Sequence, residues 1–250
     1  MHLLLTNDDG ISAPGLLALK QALEPLGQVT VIAPSRNYSA AGHRKTMHKP
    51  LRIDAARLDD GAPAWVCSGA PSDCVALALL GFVKEKVDLV VSGINPGPNM
   101  GQDLTYSGTV SAALESVIAN VPGIAISAEV REDADYAQPG RVAAAVAQAV
   151  ARHGLPPGVA LNVNVPAGAV RGIRFTRQGW SIFRDRLVER LDPRGRPYYW
   201  IGGDRPTGLT DEGTDFWALE NGYVSITPLQ LDLTAHSALP ALLEWKLAYE

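Results

Sequence analysis

A short acidic segment near the start of the chain has residue types that can hold a metal ion. Residues 6–10 read Thr-Asn-Asp-Asp-Gly, so the carboxylates of Asp8 and Asp9 are adjacent. Adjacent carboxylates repel each other unless a cation neutralises them, and hard divalent cations prefer oxygen ligands. The segment therefore suits a divalent metal ion, although Asn, Asp and Gly are also the usual residues of an ordinary turn.

A second polar segment follows the next apolar run. Residues 33–43 read Ala-Pro-Ser-Arg-Asn-Tyr-Ser-Ala-Ala-Gly-His. The hydroxyl of Ser39 could ligate a metal ion, and Arg36 or His43 could meet an anion. A plain polar loop is the alternative interpretation of this segment.

A third segment combines amide side chains with the start of a helix. Residues 92–101 read Ser-Gly-Ile-Asn-Pro-Gly-Pro-Asn-Met-Gly, and residues 106–109 read Tyr-Ser-Gly-Thr. The asparagines offer carbonyl ligands. A helix that begins at Ser-Gly-Thr offers free backbone N–H groups and hydroxyls to a phosphate, although Ser107 and Thr109 also suit simple helix capping. Together the three segments predict a metal-assisted reaction on a phosphate group.

The elements that must position these segments alternate between strand and helix patterns. Continuous apolar runs predict strands over residues 2–5, 29–33, 65–67, 88–93, 123–127 and 159–165. Helix-like spacing predicts helices after Pro14, after Ser72, and over residues 110–118 and 141–152. This alternation predicts an α/β fold with a mostly parallel sheet and helices on both faces. Ligands of such sheets collect beyond the carboxyl ends of the strands, where all three polar segments fall.

The alternation breaks near residue 170. Residues 175–223 concentrate aromatic side chains around a charged stretch at residues 184–196. Because so many aromatic side chains seldom stay in water, we expect a hairpin-bearing extension that forms an oligomer contact or a substrate lid, rather than a bare surface loop. Strand character returns over residues 223–228, and a helix is predicted over residues 238–249.

Composition excludes several classes of protein. The chain has 250 residues, with 22 Lys and Arg against 26 Asp and Glu, so its formal net charge is −4. This balance argues against a polymeric nucleic acid as a stable partner. No apolar run is long enough to span a membrane, and the N-terminus lacks the basic region of a signal peptide, so we expect no membrane partner and a cytoplasmic location. Cys67 and Cys74 do not form a Cys-x-x-Cys pair, so we expect neither a zinc–thiolate site nor a disulfide scaffold.

The acidic segment argues against two rival functions and leaves a third open. Phosphatases of the haloacid-dehalogenase type use Asp-x-Asp after the first strand, but Gly10 occupies the second acidic position. A dinucleotide oxidoreductase would need Gly-x-Gly-x-x-Gly there. A non-catalytic protein that binds nucleotides or metal ions stays open as an alternative, because a binding site and a catalytic site can share every ligand.

The three segments resemble those of the SurE family, the survival-protein nucleotidases. The resemblance lies in residues 5–11 (Leu-Thr-Asn-Asp-Asp-Gly-Ile), 33–39 and 92–101. It continues in residues 106–113 and in residues 226–236, Ile-Thr-Pro-Leu-Gln-Leu-Asp-Leu-Thr-Ala-His. These matches occur in order along nearly the whole chain.

The resemblance implies a metal-dependent 5'-nucleotidase that hydrolyses nucleoside monophosphates to nucleoside and phosphate. It implies one divalent cation, Mg²⁺ or Mn²⁺, held by Asp8, Asp9, Ser39 and Asn95. The positions that match the family's phosphate contacts are Asn99, Ser107, Gly108 and Thr109. His236 matches a histidine implicated near the family's site.

The resemblance also implies an architecture. The whole of residues 1–250 would form one SurE-like domain with a Rossmann-like core at about residues 1–172 and 223–236. The extension, at about residues 173–222, and the helix at residues 238–249 would make oligomer contacts. A homodimer or homotetramer with an exchanged C-terminal extension is therefore expected.

A mechanism follows as a hypothesis. The cation would polarise the phosphate and activate water, while donors from the third segment hold the remaining phosphate oxygens. Alternatively, Asp8 or Asp9 would act as base or nucleophile instead of a pure ligand. His236 would protonate the leaving alkoxide, because imidazole suits proton transfer at neutral pH.

Overall fold

The computed structural model describes residues 1–130 and 135–247. Its strands are β1 (His2–Thr6), β2 (Gln28–Pro34), β3 (Ile53–Arg57), β4 (Pro63–Cys67), β5 (Leu89–Asn95), β6 (Gly123–Ala128), β7 (Val159–Val165), β8 (Gly172–Phe175), β9 (Ser181–Leu191), β10 (Pro197–Gly208) and β11 (Tyr223–Gln230). Its α-helices are α1 (Pro14–Leu23), α2 (Pro71–Leu77), α3 (Gly108–Ile118), α4 (Ala137–His153), α5 (Asp215–Glu220) and α6 (Leu239–Leu243).

Nine of the strands form one mixed sheet in the order β3-β4-β2-β1-β5-β6-β7-β11-β8. In this order, the six strands from β4 to β7 all pair in parallel. Strand β3 runs antiparallel to β4, and β11 runs antiparallel to β7. The prediction of a mostly parallel sheet is therefore confirmed.

Both faces of the sheet are covered. Leu3 and Leu5 of β1 pack in a buried cluster with α1 and α4, and Leu4 packs in the opposite cluster with α2 and α3. Successive side chains of a strand point to opposite faces, so a strand covered on both sides must be apolar throughout. This arrangement explains the continuous apolar runs and confirms the prediction of helices on both faces.

The main sheet reaches further into the C-terminal third than the predicted boundary at residue 172. Strand β8 pairs in parallel with β11, so residues 172–175 belong to the sheet. Helix α5 packs against β11 as well. What leaves the sheet is therefore the separate hairpin of β9 and β10, joined in antiparallel register. The short, largely exposed β8 carries no apolar run that could have marked it in the sequence.

The predicted helix over residues 238–249 is wrong in length. Helix α6 spans only Leu239–Leu243, residues 244–247 are not helical, and residues 248–249 lie outside the described part of the chain. None of the residues of α6 is buried. Short helices in water are marginal without a packed face, which accounts for the single turn and a half seen in this chain.

None of the helices in the described ranges is long and apolar enough to cross a membrane.

Candidate metal and phosphate site

The acidic segment forms a tight turn at the carboxyl end of β1. The side chain of Asn7 closes this turn, because its Nδ2 donates to the carbonyl of Gly10 at 2.9 Å and its Oδ1 accepts from the N–H of Gly10 at 3.2 Å. Gly10 has a φ of +106°, and a Cβ there would lie 3.3 Å from the carbonyl carbon of Arg36. The turn therefore requires glycine, and it fixes Asp8 and Asp9 at the sheet edge.

Asp8 lies against the first turn of α3. The hydroxyl of Thr109 donates to Oδ1 of Asp8 at 2.5 Å. A Cβ on Gly108 would lie only 2.7 Å from the Cβ of Asp8, so the helix can approach this closely only with glycine at its first residue. Ser107 caps the helix, since its Oγ accepts from the N–H of Val110 at 3.1 Å. The buried carboxylate of Asp8 and the N-terminus of α3 therefore lie side by side, and the main-chain N–H groups of Gly108 and Thr109 also donate to this carboxylate.

No described residue forms an ion pair with the carboxylates of Asp8 and Asp9. Burial raises the pKa of Asp8, and the hydrogen bond from Thr109 opposes this rise. Burial and the neighbouring charge of Asp8 raise the pKa of Asp9 to about 6. Oδ2 of Asp9 is buried and accepts no hydrogen bond from any residue that the structure describes. A cation would satisfy this oxygen and relieve the repulsion between the two carboxylates.

The kinds of side chain near the pair limit which cation fits. The described residues contain no group of three or more His, Cys, Asp and Glu side chains that could hold a metal ion. A cation bound at the pair would therefore complete its shell with neutral oxygen ligands. Carboxylate, carbonyl and hydroxyl oxygens are the ligands that Mg²⁺ and Mn²⁺ favour, so the residues present fit such an ion.

The second polar segment contacts the acidic turn directly. The N–H of Tyr38 donates to the main-chain carbonyl of Asp8 at 2.7 Å, and the N–H of Ile11 donates to that of Pro34 at 2.9 Å. Ser39, the next residue in the chain, is exposed, and its N–H donates to Oδ1 of Asn37 at 2.6 Å. The segment therefore runs beside the acid pair, with Ser39 at its exposed side.

His43 pairs with a carboxylate of the chain itself. Its Nε2 lies 2.8 Å from Oε2 of Glu115, a buried residue of α3, and the Nζ of Lys45 donates to the other carboxylate oxygen at 3.0 Å. Burial tends to raise the pKa of Glu115, but these two partners outweigh it and the pKa is lowered. The contacts join the second segment to the helix that carries Thr109.

The third segment crosses the ends of β5 and β6. Asn95 is the last residue of β5 and pairs with Ser127 of β6, while its Nδ2 donates to the carbonyl of Gly97 at 2.6 Å. The side-chain carbonyl of Asn95 is thus the atom suited to a cation. Because β5 is the neighbour of β1, Asn95 and the acid pair follow adjacent strands at one edge of the sheet.

Asn99 is held by three residues that the sequence analysis missed. Its main chain is bonded by the side chains of Asn162 and Asn164, and its own side chain is bonded to Ser127. A signal existed in the sequence, because β7 reads Val-Ala-Leu-Asn-Val-Asn-Val. Asparagines at alternate positions of a buried strand are costly unless they find hydrogen-bond partners.

A missed carboxylate fixes the far end of the third segment. Asp215 has no exposed surface, and it accepts from the N–H groups of Gly101, Gly179 and Phe216 at 2.8 to 2.9 Å. Gln178 adds a bond from its Nε2 to the carbonyl of Gly101 at 2.7 Å. The end of the segment is therefore fastened to the base of the hairpin formed by β9 and β10.

His236 has no described hydrogen bond to the acid pair within the single chain. It lies in the exposed segment after β11, and its Nε2 is 2.7 Å from Oδ2 of Asp232. The described hydrogen bonds connect this histidine to its own segment and not to the acid pair.

Taken together, the contacts define a doubly wound α/β protein whose carboxyl-edge site joins a buried acid pair to a helix N-terminus. A family model described as Survival protein SurE matches residues 3–185. The chain therefore belongs to the SurE family.

Proteins and structures similar to this chain agree with that membership. A protein of Chloroflexus aggregans named 5'-nucleotidase SurE is 49% identical over 98% of this chain and 99% of its own length. A protein of the same name from Herpetosiphon aurantiacus is 51% identical over 94% of each chain. The crystal structure of the SurE protein from Aquifex aeolicus has a TM-score of 0.83 and 42% identity, covering 97% of this chain and 98% of that one.

Proposed function

We propose that this chain hydrolyses nucleoside monophosphates to nucleoside and phosphate at the acid pair of Asp8 and Asp9, with one bound Mg²⁺ or Mn²⁺. Family membership and the shared name of its relatives make the chain a 5'-nucleotidase, a phosphoric monoester hydrolase. The observation that carries the proposed site is the packing of buried Asp8 against the N-terminus of α3. A cation-binding group and an anion-binding group are thereby adjacent, as a metal-bound phosphate requires.

The proposed ligands are two carboxylates and two neutral oxygens. The buried Oδ2 of Asp9, which accepts no hydrogen bond from a described residue, and the raised pKa values of both acids support a cation at this place. Contact of the second segment with Asp8 supports a role for the neighbouring Ser39, and the adjacency of β5 and β1 supports Asn95. The proposed set is Asp8, Asp9, Ser39 and Asn95.

A cation held by these residues would supply Lewis-acid polarisation of the phosphate and would lower the pKa of the attacking water. The chain's own contribution is to hold and orient the phosphate. The hydroxyl of Thr109 and the N–H groups of Gly108 and Thr109 all donate to the carboxylate of Asp8. We propose that the two N–H groups are shared with the phosphate oxygens when a nucleotide binds. Ser107 accepts from Val110 and therefore still has its own O–H to donate. The side chain of Asn99 completes this set of donors, which stabilises developing negative charge.

Asp9 offers a second role at the same site. Its carboxylate is less buried than that of Asp8 and accepts no described hydrogen bond at Oδ2. It can therefore receive a proton from an attacking water as a general base. Direct attack by Asp8 is less favourable, because its Oδ1 already accepts from Thr109 and its surroundings are packed.

We further propose that two or four chains assemble by exchanging the C-terminal extension. Large apolar side chains are exposed on the hairpin and on the final segment; they include Leu187, Trp200, Ile201, Leu243, Trp245 and Leu247. Such surfaces on an isolated chain are typical of subunit interfaces. Exchange would carry His236 away from its own acid pair, and we propose that it reaches the site of a partner subunit and protonates the leaving alkoxide.

The test is phosphate release from a panel of 5'- and 3'-nucleoside monophosphates with Mg²⁺, with Mn²⁺, or with EDTA. The expected result is release that depends on the metal ion and stops with EDTA. Asp59→Asn, an exposed acid far along the chain from the pair, serves as the control and should retain full activity. A folded sample that binds Mn²⁺ but releases no phosphate would replace the proposal with a metal-binding regulator.

A further inference from the structure

The main chain of Asn99 is held on both sides by a single side chain. Oδ1 of Asn164 accepts from the N–H of Asn99 at 2.8 Å, and Nδ2 of Asn164 donates to the carbonyl of Asn99 at 2.9 Å. Nδ2 of Asn162 donates to the same carbonyl at 2.8 Å. An amide that satisfies both polar groups of one residue fixes the position of that residue, because moving it would break several bonds at once.

The side chain of Asn99 is oriented as well. Its Nδ2 donates to Oγ of Ser127 at 2.7 Å. This bond uses one amide hydrogen and sets which way the amide plane turns. The second amide hydrogen and the carbonyl oxygen of Asn99 stay available for a ligand.

Burial shows that these polar side chains have a specific task. Asn162, Asn164 and Ser127 have no exposed surface. Val163 and Val165 of the same strand lie in the main apolar cluster on the other face of the sheet. An apolar residue would satisfy the packing of β7 at lower desolvation cost, so the two asparagines are explained by the bonds that they make to Asn99.

We infer that Asn164, assisted by Asn162 and Ser127, is a positioning residue of the phosphate site. It acts through Asn99, whose amide it holds at the distance and angle that the phosphate needs. The inference rests on the proposed function in one respect, the assignment of Asn99 to the phosphate. Strands β6 and β7 thereby contribute to the site without touching the substrate.

Two substitutions at residue 164 separate the bonds. Asn164→Asp keeps an acceptor for the N–H of Asn99 but loses the donor to its carbonyl, and Asn164→Ala loses both bonds. A displacement of about 1 Å at a group that binds the reacting phosphate costs on the order of 100-fold in rate. We expect kcat/KM to fall about tenfold to 100-fold in both variants, with the larger loss in Asn164→Ala.

Thr227→Val is the matched control. Thr227 is buried on the neighbouring strand β11, opposite Asn162, and its hydroxyl is 2.8 Å from that of Thr176. Its substitution therefore also removes a buried hydrogen bond from this part of the sheet. We expect a comparable loss of stability in denaturant titrations, with kcat/KM within about twofold of the unaltered chain.

A double-mutant cycle with Asn99→Ala distinguishes positioning from general destabilisation. If Asn164 acts through the side chain of Asn99, Asn164→Ala should cost less than about threefold once that side chain is gone. Full additivity of the two losses, or unchanged kcat/KM in Asn164→Ala, would overturn the inference.

A measurement of inorganic phosphate binding tests the positioning role of Asn164 independently of the proposed hydrolysis. Calorimetric titration of phosphate into Mn²⁺-loaded protein needs no turnover. Weaker phosphate binding in Asn164→Ala, with normal binding in Thr227→Val, is expected even if no nucleotide is hydrolysed. Equal binding by all three proteins, or none by the unaltered chain, would refute a positioning role at a phosphate site, whereas missing turnover alone would refute only the proposed function.

Discussion

Replacing Gly108 by alanine is expected to push a methyl group into Asp8. The added Cβ would lie 2.7 Å from the Cβ of Asp8 and 3.1 Å from its Oδ2, whereas carbon atoms in contact prefer about 3.5 to 4.0 Å. The helix start or the acidic turn must therefore move by roughly 1 Å. The turn is closed by Asn7 and bonded to Tyr38, so most of the movement falls on the first turn of α3.

The expected loss of activity follows from that displacement. A shift of about 1 Å between the acid pair and the phosphate donors corresponds to a decrease of about 100-fold in kcat/KM. Overpacking of this kind also costs about 1 to 3 kcal/mol of stability. Alanine has the better helix propensity by about 1 kcal/mol, so conformational preference alone would make the same substitution stabilising.

The assay is phosphate release at saturating Mn²⁺, with a denaturant titration of each protein. Gly140→Ala is the matched control, because Gly140 lies in the first turn of α4 and an added Cβ would meet the methyl group of Ala22 at 3.1 Å and the carbonyl oxygen of Ala18 at 3.8 Å, both in α1. This control should retain full activity. An alanine at residue 108 that left kcat/KM unchanged would refute the close packing of α3 on the acid pair.

Three further predictions follow from the same contacts. Thr109→Val removes the hydroxyl that donates to Asp8 while nearly preserving the shape of the side chain. Mn²⁺ should therefore bind about tenfold to 100-fold more weakly in a calorimetric titration. Unchanged affinity would contradict a role for Thr109 in orienting Asp8. The pKa of Asp9 is raised from its ordinary value of 3.8 to about 6, so in metal-free protein the folded state binds more protons than the unfolded state between these values. In denaturant titrations of EDTA-treated protein, the unfolding free energy of the unaltered chain relative to Asp9→Asn should therefore fall as the pH rises from about 4 to about 6, and Mn²⁺ should reverse the loss at pH 7. A relative rise over that interval would contradict the assignment. Asp215→Ala leaves three buried N–H groups without their acceptor and should lower the unfolding free energy by about 3 kcal/mol, whereas exposed Asp59→Ala should change it by less than about 0.5 kcal/mol in the same titration.

The fold was predictable where both faces of a strand are buried. Strands such as β2 and β7 carry mostly apolar runs because helices cover the sheet on both sides, and the predicted ranges 29–33 and 159–165 match these strands closely. Strand β3 was missed, because it is an edge strand whose residues are mostly exposed and which therefore carries no apolar run. Burial from tertiary packing, more than local propensity, made an element visible in the sequence.

The candidate site was predictable only for groups close together in the sequence or at strand ends. Asp8 and Asp9 are adjacent, and Ser107, Gly108 and Thr109 form one helix start. By contrast, Asn164 and Asp215 reach the third segment from 65 and 114 residues away. Such contacts depend on which strands are neighbours in the sheet, and the sequence pattern does not specify that order.

His236 shows a different limit of sequence reasoning. The resemblance places this residue near a site, but in one chain it lies on an exposed segment beside Asp232. A residue that acts in a partner subunit leaves no trace in the pattern of its own chain. Its role in catalysis, the exchange of the extension and a cytoplasmic location all stay predictions.

Asp8→Asn tests the central claim most directly, because it removes one charge from the acid pair and retains the side-chain shape. Phosphate release from nucleoside monophosphates should fall by roughly 1,000-fold or more with Mn²⁺ present, since the proposed cation and the phosphate both depend on this carboxylate. The same sample should show unchanged or higher stability without metal, because burial already disfavours the charged form of Asp8. An Asp8→Asn protein that hydrolyses these substrates at the rate of the unaltered chain would contradict the account of the site.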